Sequence, residues 1–243
     1  AEDFVDLKLC GGAQRVPGLF GGAVQTGGGG YVQGPGVGPM ATGAVECWVK
    51  PLEEMGSSQF GIIGFGNRYG ERNDFALLGI FPGAEAGAPP QFGFGIYKGT
   101  WDGARTDARP SLNEWHHLVA NWGRLGIQVY LDGRLVAEKD VRFDLADHAA
   151  VFLGASSWGR TYSMIIDEVR IYRENLPAEV VAAHFADRSY VTTPPAPEKR
   201  MVHYGPAKGA SVSVADYVSE ASFTCGIEEA IAALPRAGGE VYL

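Results

Sequence analysis

Charge is scarce in this 243-residue chain: only 20% of its residues are Asp, Glu, Lys or Arg, and they leave a net charge of −8 and a pI near 5.1. Lys and Arg form no cluster, which excludes a broad basic face for nucleic acid, since such binding needs many cations against phosphates. Cysteine is scarcer still. Cys10, Cys47 and Cys225 are an odd number at unrelated spacings, so there is neither a disulfide framework nor a CxxC zinc or redox motif. A Cys10–Cys47 bridge stays open only for an exported protein. Long apolar runs are missing too. The longest uncharged stretch, Val16 to Val45, holds eleven glycines and three prolines, and so cannot be a membrane helix of about 20 apolar residues. No membrane partner is expected. The opening Ala1-Glu2-Asp3 has no basic or apolar leader character, which fits a processed exported protein or a trimmed piece of a longer one.

What the chain has in excess is glycine, 35 residues, of which 25 fall within the first 103. Aromatic and β-branched residues are interleaved with them, so the excess marks tight backbone geometry, neither collagen nor a flexible linker. Most of the first 175 residues read as short strands separated by Gly, Pro and Asp turns, with helical periodicity almost absent, and this predicts an all-β sandwich or barrel. Strands are expected at Ala44–Lys50, Gln59–Gly66, Asp74–Phe81, Gln91–Lys98, Trp115–Trp122, Ile127–Asp132, Ala150–Gly154 and Met164–Tyr172. In the first, alternation puts Val45, Cys47 and Val49 on one face and Glu46, Trp48 and Lys50 on the other. Cys47 thus reads as a small buried hydrophobe. Glycines inside Phe60–Phe65 and Phe92–Tyr97 weaken those strands unless curvature or a close neighbour requires them.

Asp132-Gly133, between two apolar segments, predicts a two-residue type I′ hairpin, which needs positive φ at both positions. After Tyr172 the pattern changes: Pro177 opens a short amphipathic helix, Ala178–Phe185, that closes a first domain of residues 1–190. Residues 191–200 hold three prolines and read as a stiff linker. In residues 201–243, Thr224 caps a helix over Cys225–Leu234 and a strand begins at Glu240, too little to bury itself.

Three stretches resemble the laminin-G-like branch of the concanavalin A-like lectin/glucanase superfamily. They are Phe20-Gly-Gly-Ala-Val with Tyr31-Val32 and Val45–Pro51, then Glu114–Ala120 leading into Val129–Arg134, and Ile166–Tyr172 with Leu176–Glu179. Their order and spacing agree over about residues 5 to 187. The resemblance implies a two-sheet antiparallel jelly roll, with a concave face that binds glycans in many members. Residues 201–243 resemble the N-terminal cap of a pectate-lyase-like right-handed β-helix, which implies a truncated second domain. Together these imply a non-catalytic carbohydrate-binding module of an exported polysaccharide-degrading enzyme, secreted, periplasmic or at the cell surface. The alternatives are a structural domain that shapes the cleft of a β-helix hydrolase or lyase, and a protein-interaction domain.

Glycoside hydrolysis needs two carboxylates across the scissile bond, and no Glu-x-Asp-x-Glu type strand occurs. Glu53-Glu54, Asp167-Glu168, and Asp144 with Asp147 all lack that alternation, so no catalytic residue is assigned. His116 and His117, adjacent on a strand, face opposite ways and cannot share a metal ion. One is expected near the core and the other partly exposed. Sugar binding wants aromatic faces beside planar polar groups. The loop around Tyr97, Trp101 and Arg105 has both, as does that around Trp158, Arg160 and Tyr162, while Asn67 and Arg68 add a third set. The arginines suit an acidic glycan. Asp167 sits where the resemblance implies a carboxylate for a structural calcium ion, with Asp3 or Asp6 as further ligands.

Overall fold

The structure, a computed structural model, describes residues 7–54, 59–67, 76–83, 88–97, 100–107, 110–156, 159–186, 201–204, 211–213 and 239–242. The chain divides into two compact units, Ala1–Arg188 and Ser189–Leu243. In the first, strands follow as β1 (Lys8–Cys10), β2 (Gln14–Pro17), β3 (Gly22–Thr26), β4 (Tyr31–Pro35), β5 (Gly43–Pro51), β6 (Phe60–Gly66) and β7 (Ala76–Phe81). They continue as β8 (Gln91–Tyr97), β9 (Trp101–Arg105), β10 (His116–Trp122), β11 (Ile127–Leu131), β12 (Arg134–Lys139), β13 (Ala150–Leu153) and β14 (Met164–Tyr172), before helix α1 (Ala178–Ala186).

These strands form two seven-stranded antiparallel sheets, ordered β1-β4-β13-β6-β7-β8-β9 and β12-β11-β10-β5-β14-β3-β2. The architecture is the all-β sandwich. Val45, Cys47 and Val49 of β5 enter the core between the sheets, as the alternation predicts, and meet Leu118, Ala120 and Trp122 of β10. Trp122 stacks on Phe94 of the other sheet at 5.7 Å and 5°, so large rings bridge the two layers. A buried ring of this size removes enough apolar surface to contribute about 2–3 kcal/mol. The Cys47 thiol is raised by burial and by the neighbouring Glu46 charge, and both Cys10 and Cys47 are free.

The hairpin geometry is as expected, with Asp132 at φ 49° and Gly133 at φ 77°. Gly133 has a second reason to be glycine, because a Cβ there would stand 2.9 Å from the Phe185 side chain of α1. Several segments read as loops are strands. Gly34 lies within β4, paired with Val151, and Trp101 and Gly103 lie within β9. Backbone hydrogen bonding to distant partners, invisible locally, makes the difference. Gly27–Gly30 does form a tight turn, with reciprocal amide-to-carbonyl bonds of 3.0 and 2.8 Å, and it passes the chain from one sheet to the other.

The outward face of β5 is not exposed. Glu46 and Trp48 are fully buried beneath α1, where Val181 packs on Ala44, Val119 and Tyr130 and the Phe185 ring stacks on Trp48 at 5.8 Å. His117 and His184 place Nε2 and Nδ1 at 2.8 and 2.9 Å from Glu46 Oε1, and Tyr172 donates its hydroxyl to Oε2 at 2.5 Å. His117 was expected either near the core or partly exposed. Both histidines are in fact buried: His116 lies against Phe92 with Nδ1 3.2 Å from Asp132.

The second unit contains β15 (Met201–Tyr204), β16 (Ser211–Ser213) and β17 (Gly239–Tyr242), with β17 between an antiparallel β15 and a parallel β16. The helix expected at Cys225–Leu234 and the linker 191–200 lie outside the described residues. Among the described residues no helix is long and apolar enough to cross a membrane.

Burial alone pushes the Glu46 carboxyl upward, but hydrogen bonds from His117, His184 and Tyr172 outweigh it and hold the group well below the usual carboxylate range. The stabilisation is therefore complete above about pH 4.5, the ordinary value, and is lost as pH falls below it. Glu46→Ala should cost on the order of 3 kcal/mol at neutral pH by stranding the buried donors. Thermal unfolding followed between pH 7 and pH 3 should show a smaller acid slope in the variant than in the wild type.

Candidate functional site

Two rows of residues cross the outer face of the first sheet. Gly61 pairs with Gly79, Gly79 with Gly93, and Gly93 with Arg105. In the next row Gly64 pairs with Leu77, Leu77 with Gly95, and Gly95 with Gly103. Because side chains alternate along a strand, Phe65, Leu78, Ile80, Phe92, Phe94 and Ile96 fill the core. The glycines therefore look outward and leave a floor from which, within these rows, only Leu77 and Arg105 raise side chains.

Two structures stand on that floor. On one side Phe81 and Trp101 lie over Gly95, whose added Cβ would be 2.8 and 3.1 Å from their rings. Tyr97 meets Trp101 at 5.5 Å, and the Arg105 guanidinium sits 4.9 Å above Phe81 while donating to the Pro82 carbonyl at 3.3 Å. On the other side the segment after β13 folds over as a strap. Its carbonyl at Ala155 stands 2.4 Å from where a Gly61 Cβ would be. The strap is closed by an Ala155–Thr161 bridge and by the Gly159 amide donating to Ser156 at 3.1 Å. Thr161 also accepts the Gly29 amide at 2.9 Å, which ties the strap to the glycine turn.

Between strap and rings lies a cleft of about 160 Å³ lined by Gln59, Trp101, Ser156 and Arg160. Trp101 is half-buried and Arg160 exposed. Neither the Gln59 carboxamide nor the Arg160 guanidinium has a partner among the described residues. Asp102, beside Trp101, is paired with Lys139 and accepts the Gly103 amide at 2.8 Å. The cleft thus offers an aromatic face, an amide and one uncompensated cation.

Of the residues expected to bind sugar, Trp101 and Arg160 converge here, with Tyr97 supporting Trp101 and Arg105 held on Phe81. Tyr162 does not line the cleft. It is 3% exposed, packs on Phe60 at 4.6 Å and donates its hydroxyl to the Glu53 carbonyl, so its ring belongs to the core. Asn67 is exposed and accepts the Ala149 amide at 3.1 Å, bracing the approach to β13. Trp158 and Arg68 lie outside the described residues. Gln59 and Ser156 were not singled out, because only the strand register brings them beside Trp101.

Asp167 is buried and accepts the Phe20 amide at 3.0 Å and the Glu168 amide at 2.9 Å. Burial pushes its carboxyl up, against the hydrogen bonds that favour the ion. Its oxygens thus brace the Gly18–Phe20 turn. Asp3 and Asp6 lie outside the described residues, and among those described no group of three His, Cys, Asp or Glu is placed to hold a metal. A second depression, about 370 Å³, is lined by Pro51, Glu53, Glu54, Pro90, Pro110, Ser111 and Leu112. It offers no aromatic face, and Glu53 already accepts the Ser163 amide at 3.0 Å.

The model of the concanavalin A-like lectin/glucanases superfamily, in its laminin-G form, matches residues 26–182. Among solved structures the chain is similar to domain 4 of AbnA, an extracellular GH43 arabinanase from Geobacillus stearothermophilus, in complex with arabinotriose. Identity is 21% over 71% of this chain and 80% of that one, with a TM-score of 0.56. Trypanosoma rangeli sialidase with the inhibitor DANA is similar at 16% identity, over 77% of this chain but 30% of that one, with a TM-score of 0.55. The botulinum neurotoxin serotype D binding domain is similar at 10% identity, over 74% and 46%, with a TM-score of 0.56. At these identities the likeness is one of fold. No curated protein sequence matches.

Gly61→Ala should push the strap off its floor, because the obstructing atom is backbone. Overpacking of this kind costs about 1–3 kcal/mol, roughly 2–4 °C in Tm per kcal/mol. Gly22→Ala, which meets nothing within 4 Å, is the control and should melt with the wild type.

Proposed function

Since this chain belongs to the concanavalin A-like lectin/glucanase superfamily, we propose that it is a non-catalytic carbohydrate-binding module whose ligand sits in the cleft at Trp101. One observation carries the reading: a half-exposed indole and two planar polar groups without partners among the described residues, Gln59 and Arg160, meet in one depression. A sugar has an apolar face suited to an aromatic ring and hydroxyls suited to planar donors. Among the described residues the cleft lining contains no carboxylate, whereas hydrolysis needs two flanking the bond, so retention of the glycan is favoured over its cleavage. The reading extends to a module of an exported polysaccharide-degrading enzyme. The arabinotriose-bound arabinanase domain and the β-helix resemblance of residues 201–243 support that placement.

Calorimetric titration of the whole chain against plant and algal oligosaccharides should find at least one ligand. Trp101→Ala should weaken its binding about 30-fold or more, the effect of removing a central aromatic anchor worth roughly 2 kcal/mol. Absence of heat with every member of such a panel would overturn the reading.

A further inference from the structure

We infer that the cleft selects an acidic sugar, a uronate residue whose carboxylate is received by Arg160. The inference rests on the carbohydrate-binding reading above and deepens it. The backbone that carries Arg160 is held in place by the Ala155–Thr161 bridge, the Gly159 turn and the Gly29–Thr161 bond. With no partner among the described residues, its guanidinium presents its whole fork of donors, which matches the two oxygens of a carboxylate. Two other charged side chains beside Trp101 are already engaged. Asp102 is paired with Lys139, and Arg105 is engaged by the Phe81 ring and the Pro82 carbonyl. In a chain of net charge −8, a cation with no partner among the described residues thus lines the same cleft as the Trp101 ring.

Trp101 then takes the apolar face of the uronate ring, Arg160 its carboxylate, and Gln59 a hydroxyl.

The test compares one oligogalacturonate with its methyl ester, which lacks the charge and carries one added methyl per residue, by titration of the whole chain at low and moderate salt. The acid form should bind at least tenfold more tightly than the ester, with a preference that shrinks as salt rises. Arg160→Gln should abolish the preference and keep the weaker binding of the ester, while Trp101→Ala should weaken both. Equal binding of acid and ester, or a preference that survives Arg160→Gln, would overturn the inference and leave the carbohydrate reading standing. Tighter binding of a sulfated oligosaccharide such as heparin tetrasaccharide would overturn the carboxylate assignment. Failure of every sugar to bind would remove both.

Discussion

A carboxylate sealed from water stays ionised only while donors surround it, and Glu46 meets that condition through His117, His184 and Tyr172 at once. The three donors come from β10, α1 and β14, so the charge can be satisfied only when the helix is seated and both strands flank β5. The same strand sends Val45, Cys47 and Val49 into the core. Its two faces are thus governed by different physics, apolar packing on one and charge satisfaction on the other. Loss of either exposes the other, which makes β5 the member on which both layers depend.

The face that carries the cleft is built from the reverse strategy. Where β5 is filled on both sides, the outer face of β6, β7 and β8 is emptied by glycines at positions that register brings together. Removing side chains from a floor costs backbone entropy, and the structure uses the vacated space twice. The strap carbonyl at Ala155 descends onto Gly61, and the Phe81 and Trp101 rings lie across Gly95. The lining of the cleft is then displayed on top of a hydrogen-bonded sheet.

The fold was legible wherever the relevant information was local. Asp132-Gly133 declared its turn because two positive φ angles leave few residue choices, and the alternation in β5 declared which face enters the core. The opposite face of β5 was not legible, since nothing around Glu46 in sequence says that His184 and Phe185, 138 residues later for the histidine, return to cover it. Trp101 and Arg160 stood out as an aromatic and a cation beside glycines, yet their meeting depends on the pairing of β8 with β9 and the folding back of the strap. Tyr162 carried the same local signature as Trp101, but its neighbour Phe60 and the Glu53 carbonyl, both distant in sequence, draw it into the interior. Composition identifies candidates, while register decides which of them reach solvent.

The seating of α1 also divides the two outer faces of the sandwich by role. The helix ends at Ala186 against the outer face of the second sheet, whereas the cleft opens on the outer face of the first. One outer face is thus closed by the chain itself, through Val181, His184 and Phe185, while the other keeps its surface for the cleft.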